Sequence, residues 1–125
     1  MATSFTSILE RVAQRVPGAV AVIFVGSEGE AVDQFPALPD RTQRDAMLVL
    51  GAHYGVILRH VQSLLHLFHF GEAEEVILRH DKLDIVLRTV GEGHFVVLAV
   101  NPDVHLGMAL REMRQAAGAL RLEMV

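Results

Sequence analysis

The sequence predicts a single α+β domain, an α/β/α sandwich in which helices cover both faces of a largely antiparallel sheet. Three observations lead there. Apolar residues switch between helical and strand periods in the order α-β-β-α-β-β-β-α. The strand segments Ala19–Val25 and His94–Val100 are apolar on both faces, so they need helices above and below them. Every strand connection is a tight turn except the one made by a long helix, and tight turns join antiparallel neighbours.

The first helix is expected over Ser4–Val16, with Phe5, Ile8, Leu9, Val12 and Val16 on one side. Pro17-Gly18 ends it, because proline cannot continue the hydrogen-bond ladder and glycine frees the turn. Ala19–Val25 is apolar at every position and too short for a buried helix, so it reads as a strand covered on both faces. Gly26-Ser27-Glu28-Gly29 turns the chain into a more polar, peripheral strand at Glu30–Phe35.

The most informative segment follows, a helix over residues 40–67 with Asp40 as N-cap, Gln43 as its capping-box partner and Gly71 at its exit. Met47, Leu50, Tyr54, Ile57, Val61 and Leu64 form one apolar stripe on it. Ala46, Val49, His53, Val56 and His60 form a second, beside the first. A surface helix needs one stripe to sit on its own domain. The second stripe predicts an outer face that meets a partner, against the alternative of a helix buried on most sides within a monomer.

Three strands complete the sheet. Glu74–His80 sends Val76 and Leu78 to one face and Glu75, Ile77 and Arg79 to the other. Lys82–Val90 places Leu83, Ile85 and Leu87 opposite Lys82, Asp84 and Arg88, and Gly91-Glu92-Gly93 turns into the doubly apolar strand His94–Val100. In the last helix, with Asp103 as a cap, Leu106, Leu110, Met113, Ala117, Leu120 and Met124 make one stripe.

Composition narrows the function. With 125 residues, 51% of them hydrophobic, and a mean hydropathy of +0.35, the chain leans toward an oligomer. The absence of cysteine excludes disulfides, thiolate catalysis and cysteine-bound zinc. A net charge of −4 argues against a nucleic-acid partner. The longest apolar run, Ala19–Val25, is far short of the roughly 18 residues of a membrane span. No signal peptide is visible, so no membrane partner and a cytoplasmic location are expected. Seven histidines raise a metal hypothesis, through His53 and His60 on the outer stripe and through His66-x-x-His69. No carboxylate falls at helical spacing beside His53 or His60, so structural or interface histidines, sensitive to pH, are the expectation. No phosphate-binding motif is present, both glycine-rich turns join strand to strand, and Glu72, Glu74 and Glu75 read as a solvated edge. No catalytic residue, metal site or cofactor is expected, and enzyme activity has no support.

Several short blocks together carry a resemblance. They are Val16-Pro17-Gly18, Gly29, the long second helix, Lys82-Leu83-Asp84-Ile85-Val86-Leu87, Phe95–Val100, and Leu106-Gly107-Met108-Ala109. In their order and spacing, from Phe5 to about Leu122, the chain resembles the roadblock (dynein light chain) family, bacterial members included. The resemblance implies a five-stranded antiparallel sheet in the order 2-1-5-4-3, with the long helix on one face and the terminal helices on the other. It also implies a homodimer that joins third strands edge to edge and second helices side by side. Val49, His53, Val56, His60, Glu75, Ile77 and Arg79 then form the dimer interface. The implied partner is a Ras-like small GTPase, as in the Mgl polarity and motility system. Arg41, Arg44 and Arg59, which lie on the long helix, are the candidate residues to face it. The runner-up is an adaptor that binds another roadblock protein, or a response-regulator-type signalling protein, without touching a GTPase.

Overall fold

A computed structural model describes residues 4–36, 41–103 and 105–124, the first eight of the second helix by backbone alone. The order is α1 (Ser4–Arg15), β1 (Ala19–Val25), β2 (Ala31–Phe35), α2 (Arg41–Leu67), β3 (Glu75–Arg79), β4 (Asp84–Gly91), β5 (His94–Val100) and α3 (Leu106–Glu123). Among the described residues the five strands form one sheet in the order β2-β1-β5-β4-β3, and every neighbouring pair is antiparallel. The fold class, element order and strand order are those expected.

The alternation of side chains along the central strands builds two cores. Val22, Phe24, Val96, Leu98 and Val100 point to one face, where Leu9 and Val12 of α1 and Met113, Ala117 and Leu120 of α3 close over them. Ile23, Val25, Phe95, Val97 and Ala99 point to the other, under Tyr54 and Leu58 of α2. β5 sits at the centre with β1 and β4 on either side, and all three carry buried side chains on both faces. Val20 departs from this. The register slips between Ala19 and Ala21, so Val20 has no ladder partner in β5 and its side chain is half exposed.

Element ends differ from expectation by a residue or two, mostly at polar positions where pairing gives way to turns. Asp40, the expected N-cap of α2, and the side chain of Gln43, its expected capping-box partner, lie outside the described residues. α3 is capped by His105 rather than Asp103: its Nδ1 accepts from the Gly107 N–H at 3.1 Å. Asp84 was expected on a polar face of its strand, yet it is fully buried with Val86 on the α1/α3 side. Its ion-pair partner is Arg79, with Nη2 3.2 Å from Oδ2 across the β3–β4 ladder.

Candidate interaction surface on the second helix and the open strand

α2 spans 27 residues, about 40 Å of helix, and its described side chains divide into two opposite faces. The inner face is a line through Leu50, Gly51, Tyr54, Gly55 and Leu58. A Cβ on Gly55 would stand 3.3 Å from the ring edge of Phe95, and one on Gly51 would stand 3.4 Å from a Val25 methyl. The missing side chains let the helix axis come down onto β1 and β5. Tyr54 packs into the core on this face, its ring edge-on to His80 at 6.5 Å. Burial pushes its phenol above its ordinary pKa.

The glycines also explain one error of the sequence reading. Ile57 and Leu64 were expected on the stripe with Tyr54, but they are 39% and 59% exposed, and Leu58 occupies the sheet-facing place. Counting apolar residues passes over glycine, whereas in the structure glycines mark the line of closest approach. The outer face therefore carries Ile57 and Leu64 together with Val49 (56% exposed), Val56 (46%), and the exposed His53 and His60. The four residues expected at an interface on this helix thus lie together on its solvent side.

Beyond Leu67 the chain turns back through His69 (φ +60°) and Gly71 (φ +91°). Phe68 and Phe70 stack at 6.2 Å, both exposed. Gln62 holds the returning chain from the helix: its carboxamide donates to the Ala73 carbonyl at 3.1 Å and accepts from the Ala73 N–H at 2.8 Å.

β3 lies at the end of the sheet and pairs only with β4 among the described residues. Val76 and Leu78 pack beneath α2, while Glu75, Ile77 and Arg79 share the opposite face. Glu75 is bound within its own chain, to Arg88 at 3.4 Å and to Arg114 of α3 at 3.6 Å. Ile77 is left partly exposed. An edge strand with free ladder groups is a ready template for a further strand.

Of the arginines expected to face a partner, the side chains of Arg41 and Arg44 lie outside the described residues. Arg59 is exposed, away from the outer apolar row, and lines a cleft of about 410 Å³ with Gln62, His66, His94 and Arg121. Glu72 and Glu92 line the same cleft, so it presents no single sign of charge. Both glycine-rich turns join strands, between β1 and β2 and between β4 and β5. Among the described residues no three histidine or carboxylate side chains come close enough to hold a metal ion, and no helix is long and apolar enough to cross a membrane.

No protein-family model and no curated protein sequence matches the chain. Solved structures do. Myxococcus xanthus MglB superposes with a TM-score of 0.84 at 16% identity, covering 98% of this chain and 95% of that one. MglC from the same organism is 28% identical, with a TM-score of 0.68 and coverage of 97% and 99%. A roadblock/LC7 domain from Streptomyces avermitilis gives 0.76 at 15% identity, covering 94% and 95%. The fold that the short sequence blocks resemble is thus the fold this chain adopts, that of the roadblock/LC7 domains.

Proposed function

We propose that the chain is a cytoplasmic, dimeric and non-enzymatic regulator or scaffold of a Ras-like small GTPase. The observation that carries this reading is the outer face of α2. A helix already held to its sheet by Tyr54 and Leu58 presents Val49, Val56, Ile57 and Leu64 to solvent. Apolar rows of that kind mark contact surfaces. The open β3 edge offers a second place to join, and a dimer that uses both covers both. Likeness to MglB, described for Thermus thermophilus as a gliding protein, supports a place in GTPase-linked polarity or motility.

Its sequence holds no glycine-rich phosphate-binding motif, and in this reading the chain acts on its partner's chemistry indirectly. It orders the GTPase's own switch segments against the dimer surface, shifting an order–disorder equilibrium. An arginine from α2 entering the transition state is the competing mechanism. The test has two parts. Light scattering should give twice the 13.7 kDa protomer mass at micromolar concentration. A pull-down from the native extract should then recover a small GTPase whose single-turnover hydrolysis changes on addition of the dimer. A monomer, or a dimer that leaves every recovered GTPase unchanged, defeats the proposal.

The adaptor reading has an observation of its own. The 28% identity is to MglC, above the 15–20% identities to the MglB structures and the other roadblock domain described above, and one MglB structure is described as tetrameric. Recovery of a second roadblock protein with no GTPase in the complex would favour it.

A further inference from the structure

Two cavities adjoin between α2 and the β1–β2 and β4–β5 turns. The smaller, about 80 Å³, is a slot lined by Phe95, Leu58 and four glycines, Gly26, Gly29, Gly55 and Gly93. A Cβ on Gly55 would stand 3.3 Å from the Phe95 ring, and one on Gly93 would collide with Ser27 at 2.8 Å. The slot is open because side chains are missing there. Leu58, Arg59 and Gly93 also line the cleft of about 410 Å³, so the slot opens into it.

Most polar groups of the cleft are already bound within the chain. Gln62 is closed on Ala73, the Thr89 hydroxyl donates to the Glu74 carbonyl at 3.3 Å, and His94 Nδ1 donates to the Glu92 carbonyl at 3.2 Å. His66 lies 3.9 Å from Glu72, and Arg121 is tied through Nε to the Val90 carbonyl. Two groups stay unspent on facing walls, the guanidinium of Arg59 on α2 and the carboxylate of Glu92 on the β4–β5 turn. Neither has an ion-pair partner among the described residues. The ionised lining groups, Arg59, Arg121, Glu72 and Glu92, balance to zero. A polyanion such as a nucleotide would meet both glutamates, whereas a ligand carrying both signs finds a partner for each.

We propose that slot and cleft together bind a small aliphatic zwitterion, an α-amino acid or a dipeptide ending in one. Its side chain fills the slot, its carboxylate lies on Arg59 and its ammonium on Glu92. Arg59 stands where the slot opens, beside the carboxylate that accompanies the buried side chain, and a guanidinium receives a carboxylate through two parallel hydrogen bonds. The slot admits a branched aliphatic side chain and is too small for an aromatic ring. This site is separate from the outer row of α2, so it goes beyond the dimer and the GTPase of the preceding section and stands or falls without them.

NMR titration of the intact chain tests it with L-valine, glycyl-valine, glycine, L-phenylalanine, valinamide, 3-methylbutanoate and inorganic phosphate. Valine or glycyl-valine should saturate with a dissociation constant of about 1 mM or below. Glycine should bind about tenfold or more weakly, since each buried methylene is worth roughly a factor of four. Phenylalanine should not compete. Valinamide and 3-methylbutanoate, which each lack one of the two charges, should be weaker than valine by about tenfold. Whichever of valine and glycyl-valine binds tighter identifies the source as free amino acid or peptide. Arg59→Gln and Glu92→Gln, both at exposed positions, should each weaken valine binding about tenfold with an unchanged circular dichroism spectrum. The two single-charge ligands probe the same contacts on the unmodified chain. No saturation by either zwitterion at about 10 mM overturns the proposal. So does phosphate or 3-methylbutanoate binding as tightly as valine, which would make this a plain anion site. Unchanged affinity in either variant overturns the roles of Arg59 and Glu92.

Discussion

The two faces of the sheet are closed in different ways. On one, α1 and α3 together bring Leu9, Val12, Ala109, Met113, Ala116, Ala117 and Leu120 into the core. On the other, a single longer helix contributes Tyr54 and Leu58 as its buried side chains among the described residues, each still 7–8% exposed. The first face is finished as a monomer: the apolar side of each helix is spent on the sheet. The second is half finished, because α2 is as apolar outside as inside. Stability of the domain thus resides mainly in the two-helix layer, and the recognition proposed above falls to the one-helix layer.

The largest expected effect is on the two-helix side. Phe24→Ala should cost about 3–5 kcal/mol, because Phe24 is 1% exposed and its ring packs on Phe5 at 5.2 Å. Chemical denaturation should show a marginal or unfolded domain, and with it the loss of any dimer. A loss below about 1 kcal/mol would mean that this layer is not the seat of stability.

On the other side, Val56→Glu should leave the domain folded and separate the subunits, since it places a charge in an apolar contact. Circular dichroism with size-exclusion chromatography distinguishes the outcomes. Unfolding would move Val56 into the domain core, and an intact dimer would move the interface elsewhere.

Arginine replacement asks whether the α2 side adds chemistry to recognition. Arg41→Ala, Arg44→Ala and Arg59→Ala should each lower stimulated GTP hydrolysis about tenfold or less, in step with weaker binding. A loss near a thousandfold with binding intact is the signature of an arginine in the transition state.

The smallest effects compare two glycines. Gly118 on α3 has nothing within 4 Å of an added Cβ, so Gly118→Ala should stabilise by up to about 1 kcal/mol through helix propensity alone. At Gly55 the same gain is opposed by the contact with Phe95, and Gly55→Ala should destabilise by about 1 kcal/mol. Equal melting temperatures for the two variants would show that α2 sits less tightly than its glycines imply.

Much of this was legible in the sequence because strands and amphipathic helices announce themselves by period. Ala19–Val25 and His94–Val100 carry no polar residue that needs water beyond His94 at one end, and they appear with the expected bounds. The outer row of α2 was legible for the same reason. Its inner line was not, since Gly51 and Gly55 contribute closeness rather than apolar area. Asp84 was missed for a different cause. A charged residue in an alternating strand reads as solvent-facing, and only the tertiary arrangement reveals that Arg79 reaches over the edge to it. The cap at His105 was hidden because the histidine acts through a ring nitrogen, a role for which Asp103 is the commoner residue type. The cleft beside Arg59 is assembled from α2, the β4–β5 turn and α3, elements that no local pattern connects.

The carboxamide of Gln62, closed on both backbone groups of Ala73, has a consequence for partner choice. It fastens the chain two residues before the edge strand to the C-terminal part of the helix that bears the apolar row. Helix and edge therefore shift as one piece. A companion chain that fits the row but not the strand, or the strand but not the row, cannot be accommodated by adjusting either alone. Discrimination between self and a related chain then works as a conjunction of two fits, and a duplicated gene would have to diverge at both places before its product paired apart from the original.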